Sequence, residues 1–176
     1  QFIQQVQQVL IQLDGTLMQL TIGDKGSYLY IAFGAPVAHE DDAVRAASAA
    51  LQLQALAAGL PDIGPLQMGI SLGRLRTGAT GSATRRAYSA MGDPVNLAAR
   101  LMTAAAPGQI LTSRPVYEAA GKQFGWESLS SIHVKGRSTA VSVYRLIDQR
   151  QPQRMHLQEP AYRLPMVGRM AELPLL

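Results

Sequence analysis

The chain contains no cysteine, no long apolar run and few aromatic residues. Without cysteine it forms no disulfide bond and no thiolate metal site, which favours a cytoplasmic location. Because no run of about 18 or more apolar residues occurs, we expect no membrane span. Aromatic residues make up 6% of the sequence and the basic residues are scattered, so we expect no nucleic-acid partner despite a formal net charge of +4.

The residues that are present suit one globular domain with some additional length. Hydrophobic residues make up 47% and charged residues 16% of the chain, which is typical of a folded soluble protein. A chain of 176 residues can bury one sizeable core. The first residue is Gln1 rather than methionine, so we expect the sequence to be a fragment of a longer protein.

The spacing of apolar residues and of turn residues predicts an α+β fold. Helices are predicted over 1–13, from the acidic segment 39–42 to 58, and over 93–106 and 113–119. Strands are predicted over 17–22, 28–33, 66–75, 87–91, 109–112, 124–134 and 140–146. This order predicts a mostly antiparallel sheet with helices packed on one of its faces.

The segment from Arg85 to Met102 carries the strongest functional signal. Asp93 and Pro94 predict a helix start, with the Asp93 side chain as its cap. The buried stripe of this helix is predicted at Val95, Ala98, Ala99 and Met102. Asn96 and Arg100 lie four residues apart and so share another face, where an amide and a guanidinium suit a ribose beside a polyphosphate. By spacing alone, a solvated polar face is the alternative.

Three other segments could be mistaken for binding motifs or carry one. His39–Asp42 is acidic, but the helical spacing that follows predicts a helix N-terminus rather than a metal cluster. The glycine-rich run 73–81 lacks the Gly-Lys-Ser/Thr ending of a phosphate loop, and we expect it to form a turn. Asp24 is predicted at the tip of a hairpin, where a solvated turn residue is the ordinary interpretation.

Taken in order, these segments resemble the catalytic domain of class III adenylate and guanylate cyclases. The central match is Tyr88, Gly92 and the run Val95–Leu101. The matches that flank it are 22–24, 33–36, 39–42, 69–73, Gly78, Gly81, 107–110, 134–136 and 143–144. The resemblance covers roughly residues 1–146 and implies the ferredoxin-like cyclase fold.

The resemblance implies a nucleotidyl cyclase that converts ATP, with GTP as the second choice, into a 3′,5′-cyclic nucleotide and pyrophosphate. The substrate's own 3′-hydroxyl attacks its α-phosphate. By this resemblance Asn96 would orient the ribose and Arg100 would stabilise the pentavalent phosphate. The family builds each site across a head-to-tail dimer or a tandem pair, so one copy alone should be inert.

The metal site that the resemblance implies is incomplete in this sequence. Asp24 matches the second of two aspartates that hold Mg²⁺ or Mn²⁺ in the family. The first belongs to a segment resembling F-x-D-I-x-G-F on a strand before the first helix, and no such segment is present. These residues alone therefore do not assemble a two-metal site, and two explanations stay open: the strand was removed by truncation or processing, or a partner half brings the metals.

In the family, two positions select the purine, and they usually carry lysine and aspartate for adenine. This sequence has other residues at both positions. The first falls on Gln19 or Leu20 and the second on Ser89, with Asp93 beside them as a further substrate-binding residue. Cyclases resembling the soluble, bicarbonate-responsive type carry threonine at the second position. Their second half also has an Asp-Lys-Gly hairpin like Asp24–Gly26, so this chain most resembles the second half of such a tandem pair.

The remaining residues predict two further segments. Residues 1–147 would form a cyclase domain without its first strand and helix, and the polar, proline-containing residues 148–163 a linker. Residues 164–176 resemble the entry to an AAA/STAND-type ATPase module through the V-G-R-x-x-E-L pattern of Val167–Leu173.

Two alternatives to an active cyclase follow from the sequence. The first is a degenerate cyclase-like module that regulates the attached ATPase through dimerisation, which the residues at positions 19, 20 and 89 would permit. A cyclic-di-GMP synthase would share a related fold. It would need a Gly-Gly-Asp/Glu-Glu-Phe turn, which the hairpin at Gly23–Gly26 does not supply.

Overall fold

The computed structural model describes residues 1–23, 26–82, 84, 86–132 and 140–150. The helices are α1 Phe2–Gln12, α2 Asp42–Ala58, α3 Asp93–Ala104 and α4 Arg114–Ala120. The strands are β1 Thr16–Thr21, β2 Tyr28–Ala32, β3 Met68–Ile70, β4 Arg76–Gly81, β5 Arg86–Met91, β6 Ile110–Ser113, β7 Phe124–Ile132 and β8 Val141–Gln149. Asp24, Arg85, residues 135–137, most of the predicted linker and the predicted ATPase entry lie outside the described residues.

The strands form one four-stranded sheet and two hairpins. The sheet has the order β3-β6-β8-β7, in which β3 runs parallel to β6 and the other two pairings are antiparallel. β1 pairs with β2 and β4 pairs with β5, both antiparallel. The predicted α+β fold with a mostly antiparallel sheet is therefore confirmed.

Helices cover both faces of the four-stranded sheet, so the expectation that they lie on one face is wrong. Ile110 and Leu146 point toward α2 and α4, where they join Ala47 and Phe124 in one core. The alternate residues Leu111 and Val143 point the other way and pack against α3. Because successive side chains of a strand point to opposite faces, a sheet that is apolar on both faces needs a helix on each.

A third core joins α1 to α2 and to the hairpin β1–β2. Val6, Val9 and Leu10 of α1 pack against Ala49 and Leu53 of α2, and apolar side chains of the hairpin close the cluster. This core confirms the predicted apolar face of α1. It attaches the hairpin to the helical layer, and so fixes where β1 and β2 lie relative to the rest of the chain.

The glycine-rich run predicted as a turn is mostly a strand. Residues Arg76–Gly81 form β4, and each of them pairs with a residue of β5, from Arg76 with Met91 to Gly81 with Arg86. Glycine and threonine at these positions give a weak local signal, since β-propensity reflects cross-strand partners more than the backbone. The strand forms because β5 supplies its hydrogen-bonding edge.

The acidic segment at 39–42 starts a helix, as predicted. α2 begins at Asp42, and Arg45 one turn on bonds to Asp41 at 2.7 Å and to Asp14 at 3.1 Å. The hydrogen bond from Arg45 lowers the pKa of the Asp41 carboxyl. Across the described part of the chain, no helix is long and apolar enough to cross a bilayer.

Candidate functional site

The helix that carries Asn96 and Arg100 starts directly after β5. Gly92 occupies the N-cap position with a φ of +155°, and a Cβ there would lie 3.2 Å from Leu75 and 3.3 Å from the carbonyl oxygen of Arg74. This left-handed conformation favours glycine. The helix starts at Asp93, as predicted, but Gly92 rather than Asp93 occupies the N-cap position. An acid at position 93 still interacts favourably with the helix dipole.

The buried side of α3 is rotated from the predicted one. Leu97 and Leu101 are the buried residues of this helix and pack against Leu111 and Val143 of the sheet. Ala99, which was predicted to be buried, is exposed. Helical spacing located the stripe to within one position, but the sheet beneath the helix decides which residues face it.

Asn96 and Arg100 lie on the exposed side of α3, as their spacing predicts. Asp93 is three residues before Asn96, so the three side chains follow one stripe along the helix. This stripe of Asp93, Asn96 and Arg100 is called the polar stripe below. It brings an acid, an amide and a guanidinium together on a surface that a nucleotide or a second domain can reach.

Close packing fixes the position of α3. A Cβ on Gly69 of β3 would overlap the carbonyl oxygen of Ala98 and the backbone nitrogen of Met102. The hydroxyl of Ser71, just after β3, donates a hydrogen bond of 2.5 Å to the carbonyl oxygen of Pro94. Since α3 is anchored at both its first turn and its middle, the polar stripe has a defined place relative to the sheet.

The two candidate purine-contacting residues of β1 face opposite sides of their hairpin. The β1–β2 register shifts between Leu17 and Gln19, and beyond it Gln19 lies opposite Tyr30 while Leu20 lies opposite Leu29. Leu29 packs in the core under the hairpin, so Leu20 shares the apolar side. The Gln19 amide donates to the hydroxyls of Thr21 at 3.0 Å and of Tyr28 at 3.4 Å on the polar side.

The hairpin β1–β2 lies beside β5, which carries Ser89. The half-buried hydroxyl of Tyr30 donates a hydrogen bond of 3.3 Å to the carbonyl oxygen of Ala90, and burial raises the pKa of Tyr30. The Ser89 hydroxyl is 2.8 Å from that of Thr80 on β4. The structure therefore brings the strand of Gln19 next to the strand of Ser89, although the two are 70 positions apart in sequence.

The described part of the chain offers no metal centre of its own. None of its histidine and carboxylate residues form a group of three or more that could hold a metal ion. His39 instead lies 3.6 Å from Asp14 and 3.4 Å from Asp42, which supports the structural interpretation of the acidic segment. Asp24, the one predicted metal ligand, lies outside the described residues.

Sequence reasoning missed a cavity between β2 and β3. Its walls are the backbone segments 30–33 and 70–72, the start of α2 and the first turns of α3. Among the described residues β2 pairs only with β1, and β3 pairs only with β6. Each strand therefore presents an edge toward this cavity. No local sequence signal reports such a gap, because its two walls are about 40 positions apart.

Exposed apolar side chains surround the strand that leads into α3. Tyr88 is 41% and Met91 is 54% exposed on β5. Met91 and Ser89 lie on the same side of β5, because alternate residues of a strand share a face. Large apolar side chains next to polar candidate residues are typical of a surface that a partner covers.

Similarity to known proteins covers nearly all of the described chain. Residues 3–148 match the family described as the adenylate and guanylate cyclase catalytic domain. The chain is 32% identical over 151 residues to adenylate cyclase 1 of Rhizobium meliloti, an alignment that covers 80% of this chain and 22% of that protein. The chain thus spans less than a third of that relative's length.

Two solved structures share the fold. The adenylyl cyclase CyaB from P. aeruginosa superposes with a TM-score of 0.75 and 28% identity, covering 85% of this chain and 80% of the other. The guanylyl cyclase Cya2 superposes with a TM-score of 0.72 and 25% identity, covering 87% and 80%. The structures that resemble this chain thus include one named as an adenylyl cyclase and one named as a guanylyl cyclase.

Proposed function

Because the chain belongs to the family of adenylate and guanylate cyclase catalytic domains, we propose that its polar stripe forms one half of a nucleotidyl cyclase site. The reaction joins the 3′-hydroxyl oxygen of a purine nucleoside triphosphate to its own α-phosphorus, and the hydroxyl proton passes to water. The bond from that phosphorus to the bridging oxygen breaks, and pyrophosphate leaves. A second cyclase domain supplies the other half of the site.

Asn96 and Arg100 perform the chemistry that this half supplies. The Asn96 amide accepts and donates hydrogen bonds and holds the ribose so that its 3′-oxygen faces the α-phosphate. The Arg100 guanidinium lies one turn further on and stabilises the negative charge that develops on the pentavalent phosphate. Preorganised charge of this kind commonly lowers the barrier of such reactions more than any other single effect.

The observation that carries the proposal is the combination of exposure and rigidity at the polar stripe. Asn96 and Arg100 are exposed on a helix whose other side is buried against the sheet. The contacts of Gly69 and Ser71 hold the same helix in place. Catalytic side chains require rigid support of this kind, because a small displacement from the productive geometry costs much of the rate.

A second domain covers the same surface in this proposal. Met91 lies beside Ser89 on β5, so an apolar contact there would place the partner next to the purine position. The partner is another copy of the domain or a tandem neighbour. Burying the exposed apolar side chains of β5 supplies part of the association free energy.

Divalent metal ions are proposed to enter with the partner. Among the described residues, no group of histidine and carboxylate side chains fits a two-metal site. Asp24 remains a proposed ligand for Mg²⁺ or Mn²⁺.

The purine is proposed to lie between the β1–β2 hairpin and β5. Gln19 is a better candidate than Leu20, because it lies on the polar side of the hairpin with Tyr30. Ser89 contributes a hydroxyl rather than the carboxylate that is usual for adenine in the family. ATP is the proposed substrate, with GTP as the alternative.

The proposal extends to the surroundings of the domain. Residues 164–176 are proposed to begin an ATPase module, so that the cyclase would be one part of a larger signalling protein. The substrate is a cytoplasmic metabolite and the chain has no cysteine, which supports a cytoplasmic location.

The test is cyclase activity in a protein that contains this domain together with its partner domain. Cyclic product is measured with Mn²⁺ and either ATP or GTP. Asn96→Ala and Arg100→Ala should each lower kcat about a hundredfold, as expected when a donor to a developing charge is removed. Thr103→Ala on the same exposed helix is the matched control and should keep activity. Cyclic product formed at the wild-type rate by both variants would contradict the proposal.

A degenerate module is the second candidate function. It is favoured by the hydrogen bond between Ser89 and Thr80. The family uses an aspartate at position 89 to contact the purine, whereas the Ser89 hydroxyl is bonded within its own hairpin. Such a module would bind nucleotide or a partner domain without forming cyclic product. Nucleotide binding that depends on Arg100, with no product in the paired protein, would favour this candidate over the enzyme.

A further inference from the structure

Thr80 of β4 bonds to the proposed purine-contacting residue on the neighbouring strand. Its Oγ1 lies 2.8 Å from the Oγ of Ser89, and both residues are half-buried. In the β4–β5 register Thr80 lies opposite Ala87, and Gly78 lies opposite Ser89. The two hydroxyls are therefore diagonal neighbours on one face of the hairpin. Strand pairing brings them together although they are nine positions apart in sequence.

A second contact of the Thr80 hydroxyl favours one direction for this hydrogen bond. In a pair of hydroxyls at this distance, one group supplies the hydrogen and the other supplies a lone pair. The Thr80 Oγ1 donates to the carbonyl oxygen of Ala87 at 3.4 Å, an atom that can only accept. Because the single hydrogen of Thr80 is then used, Ser89 donates to Thr80. The lone pairs of the Ser89 oxygen are left for another donor.

The face of the hairpin that carries Ser89 has room for a ligand. The residue directly opposite Ser89 is Gly78, and a Cβ at that position would meet no atom within 4 Å. Ala87 precedes Ser89 on the same face and is exposed, with only a methyl group as its side chain. Neither position carries a side chain large enough to cover the Ser89 hydroxyl, so a flat base can approach it.

We propose that Thr80 is a positioning residue that selects adenine by orienting the Ser89 hydroxyl, an inference that rests on the proposed function. Adenine carries an amino group at its position 6, which donates hydrogen bonds, whereas guanine carries a carbonyl oxygen there, which accepts them. A Ser89 hydroxyl whose hydrogen is bonded to Thr80 accepts from the amino group and has no hydrogen for the carbonyl oxygen. The serine then acts only as an acceptor, as an ionised carboxylate would.

A serine without this partner would discriminate less between the purines. Its hydroxyl can rotate and either donate or accept, so it matches both bases. With Thr80 in place, the guanine oxygen would face lone pairs and lose its hydrogen bond, which is unfavourable in a partly buried site. A site that leaves a polar group of the wrong substrate unpaired rejects that substrate, and so the Thr80 hydroxyl contributes to selectivity.

The test measures kcat and KM for ATP and for GTP in the protein that contains this domain together with its partner domain. Thr80→Val keeps the shape of the side chain and removes its hydroxyl. The ratio of kcat/KM for ATP to that for GTP should fall about fivefold. The change should lie in KM with kcat unchanged, because the base is remote from the reacting atoms. Thr80→Ser retains a hydroxyl and should keep the wild-type ratio.

Two further variants separate positioning from a purely structural role. Thr77→Val makes the same change on the other face of β4, where Thr77 pairs with Ala90, and should leave the ratio unchanged. In a Ser89→Ala background, Thr80→Val should no longer change the ratio, because Thr80 acts through the Ser89 hydroxyl. A structural role would instead lower kcat for both nucleotides and would persist in that background.

Nucleotide binding separates failure of this inference from failure of the proposed function. The α,β-methylene analogues of ATP and GTP bind without cyclising, because a methylene group replaces the bridging oxygen that would leave. Isothermal titration calorimetry gives their dissociation constants. A wild-type protein that forms no cyclic product would contradict the proposed function, while the ratio of the two dissociation constants would still test Thr80.

Three outcomes would overturn the inference. The first is a preference for the adenine nucleotide that is unchanged or higher in Thr80→Val. The second is an equal effect of Thr80→Val with and without the Ser89 hydroxyl. The third is a wild-type protein that binds neither analogue.

Discussion

Gly69 of β3 lies directly against Ala98 of α3, so closely that a Cβ at position 69 would overlap the Ala98 carbonyl oxygen. The nearest atoms that such a Cβ would meet belong to the backbone, so no flexible side chain can move aside to relieve the overlap. This contact sets the distance between the helix that carries the polar stripe and the sheet. It connects the glycine of a short edge strand to the geometry of the proposed site.

Replacing this glycine should displace α3. Gly69→Ala should lower the free energy of unfolding by about 3 kcal/mol, the upper end of typical overpacking costs, and should lower cyclase activity in the paired protein. Chemical denaturation measures the first effect and cyclic-product formation the second. The control is Gly78→Ala, because a Cβ at position 78 meets no atom within 4 Å. Equal stability of the two variants would show that the helix does not depend on this contact.

The hydrogen bond from Tyr30 to Ala90 should hold the β1–β2 hairpin against β5. Tyr30→Phe removes the donor and should cost about 1 kcal/mol of stability, measured by urea denaturation. Tyr28→Phe is the matched control, since its hydroxyl accepts only the long 3.4 Å contact from Gln19. An effect no larger than that of the control would mean that the hairpin is held by its apolar side alone.

Purine selectivity should depend on Gln19 rather than on Leu20. Gln19→Lys combined with Ser89→Asp introduces the pair that is usual for adenine in the family, and should raise the ratio of kcat/KM for ATP to that for GTP at least tenfold. Leu20→Lys combined with Ser89→Asp is the control, because Leu20 shares the apolar side of the hairpin. A larger change of the ratio in the control than in the Gln19 variant would assign the purine contact to Leu20.

Association with the partner domain should depend on the apolar surface of β5. Met91→Glu places a charge on a side chain that is 54% exposed and beside Ser89. It should weaken pairing, so that cyclase activity becomes dependent on protein concentration and recovers when the concentration is raised. Ile11→Glu is the control, because Ile11 is 76% exposed on α1. Activity that stays low at every concentration would point to damage within the site instead.

The contribution of the start of α2 to folding stability should depend on pH through the Asp41 carboxyl. The hydrogen bond from Arg45, at 2.7 Å, lowers the pKa of the Asp41 carboxyl below its usual 3.8. A lowered carboxyl pKa contributes stability above the unfolded-state value, and this contribution is lost as the pH falls through the folded-state value.

Asp41→Asn should therefore be less stable than the wild type near neutral pH, and the difference should disappear on acidification from about pH 5 to pH 2. Denaturation at a series of pH values measures it. Asp62→Asn, in an exposed loop after α2, is the control. A stability difference for Asp41→Asn that stays constant over this range would contradict the role of the carboxylate charge.

The local rules of helix and hairpin formation predicted most elements of this fold. The apolar spacing of α1, the hairpin β1–β2 and the pairing of β7 with β8 all follow from residues close together in sequence. The placement of Asn96 and Arg100 on one side of α3 follows from the helical period in the same way. Resemblance to the cyclase family supplied the proposed role of that pair, which periodicity alone could not.

The tertiary structure decided the features that depend on distant partners. β4 is a strand because β5 pairs with it, and α3 buries Leu97 and Leu101 because Leu111 and Val143 lie beneath them. The sequence by itself determined most of the elements, with β4 as the exception, and which residues share a side of each. The packing of those elements determined which side is buried, because burial depends on residues tens of positions away that no local pattern records.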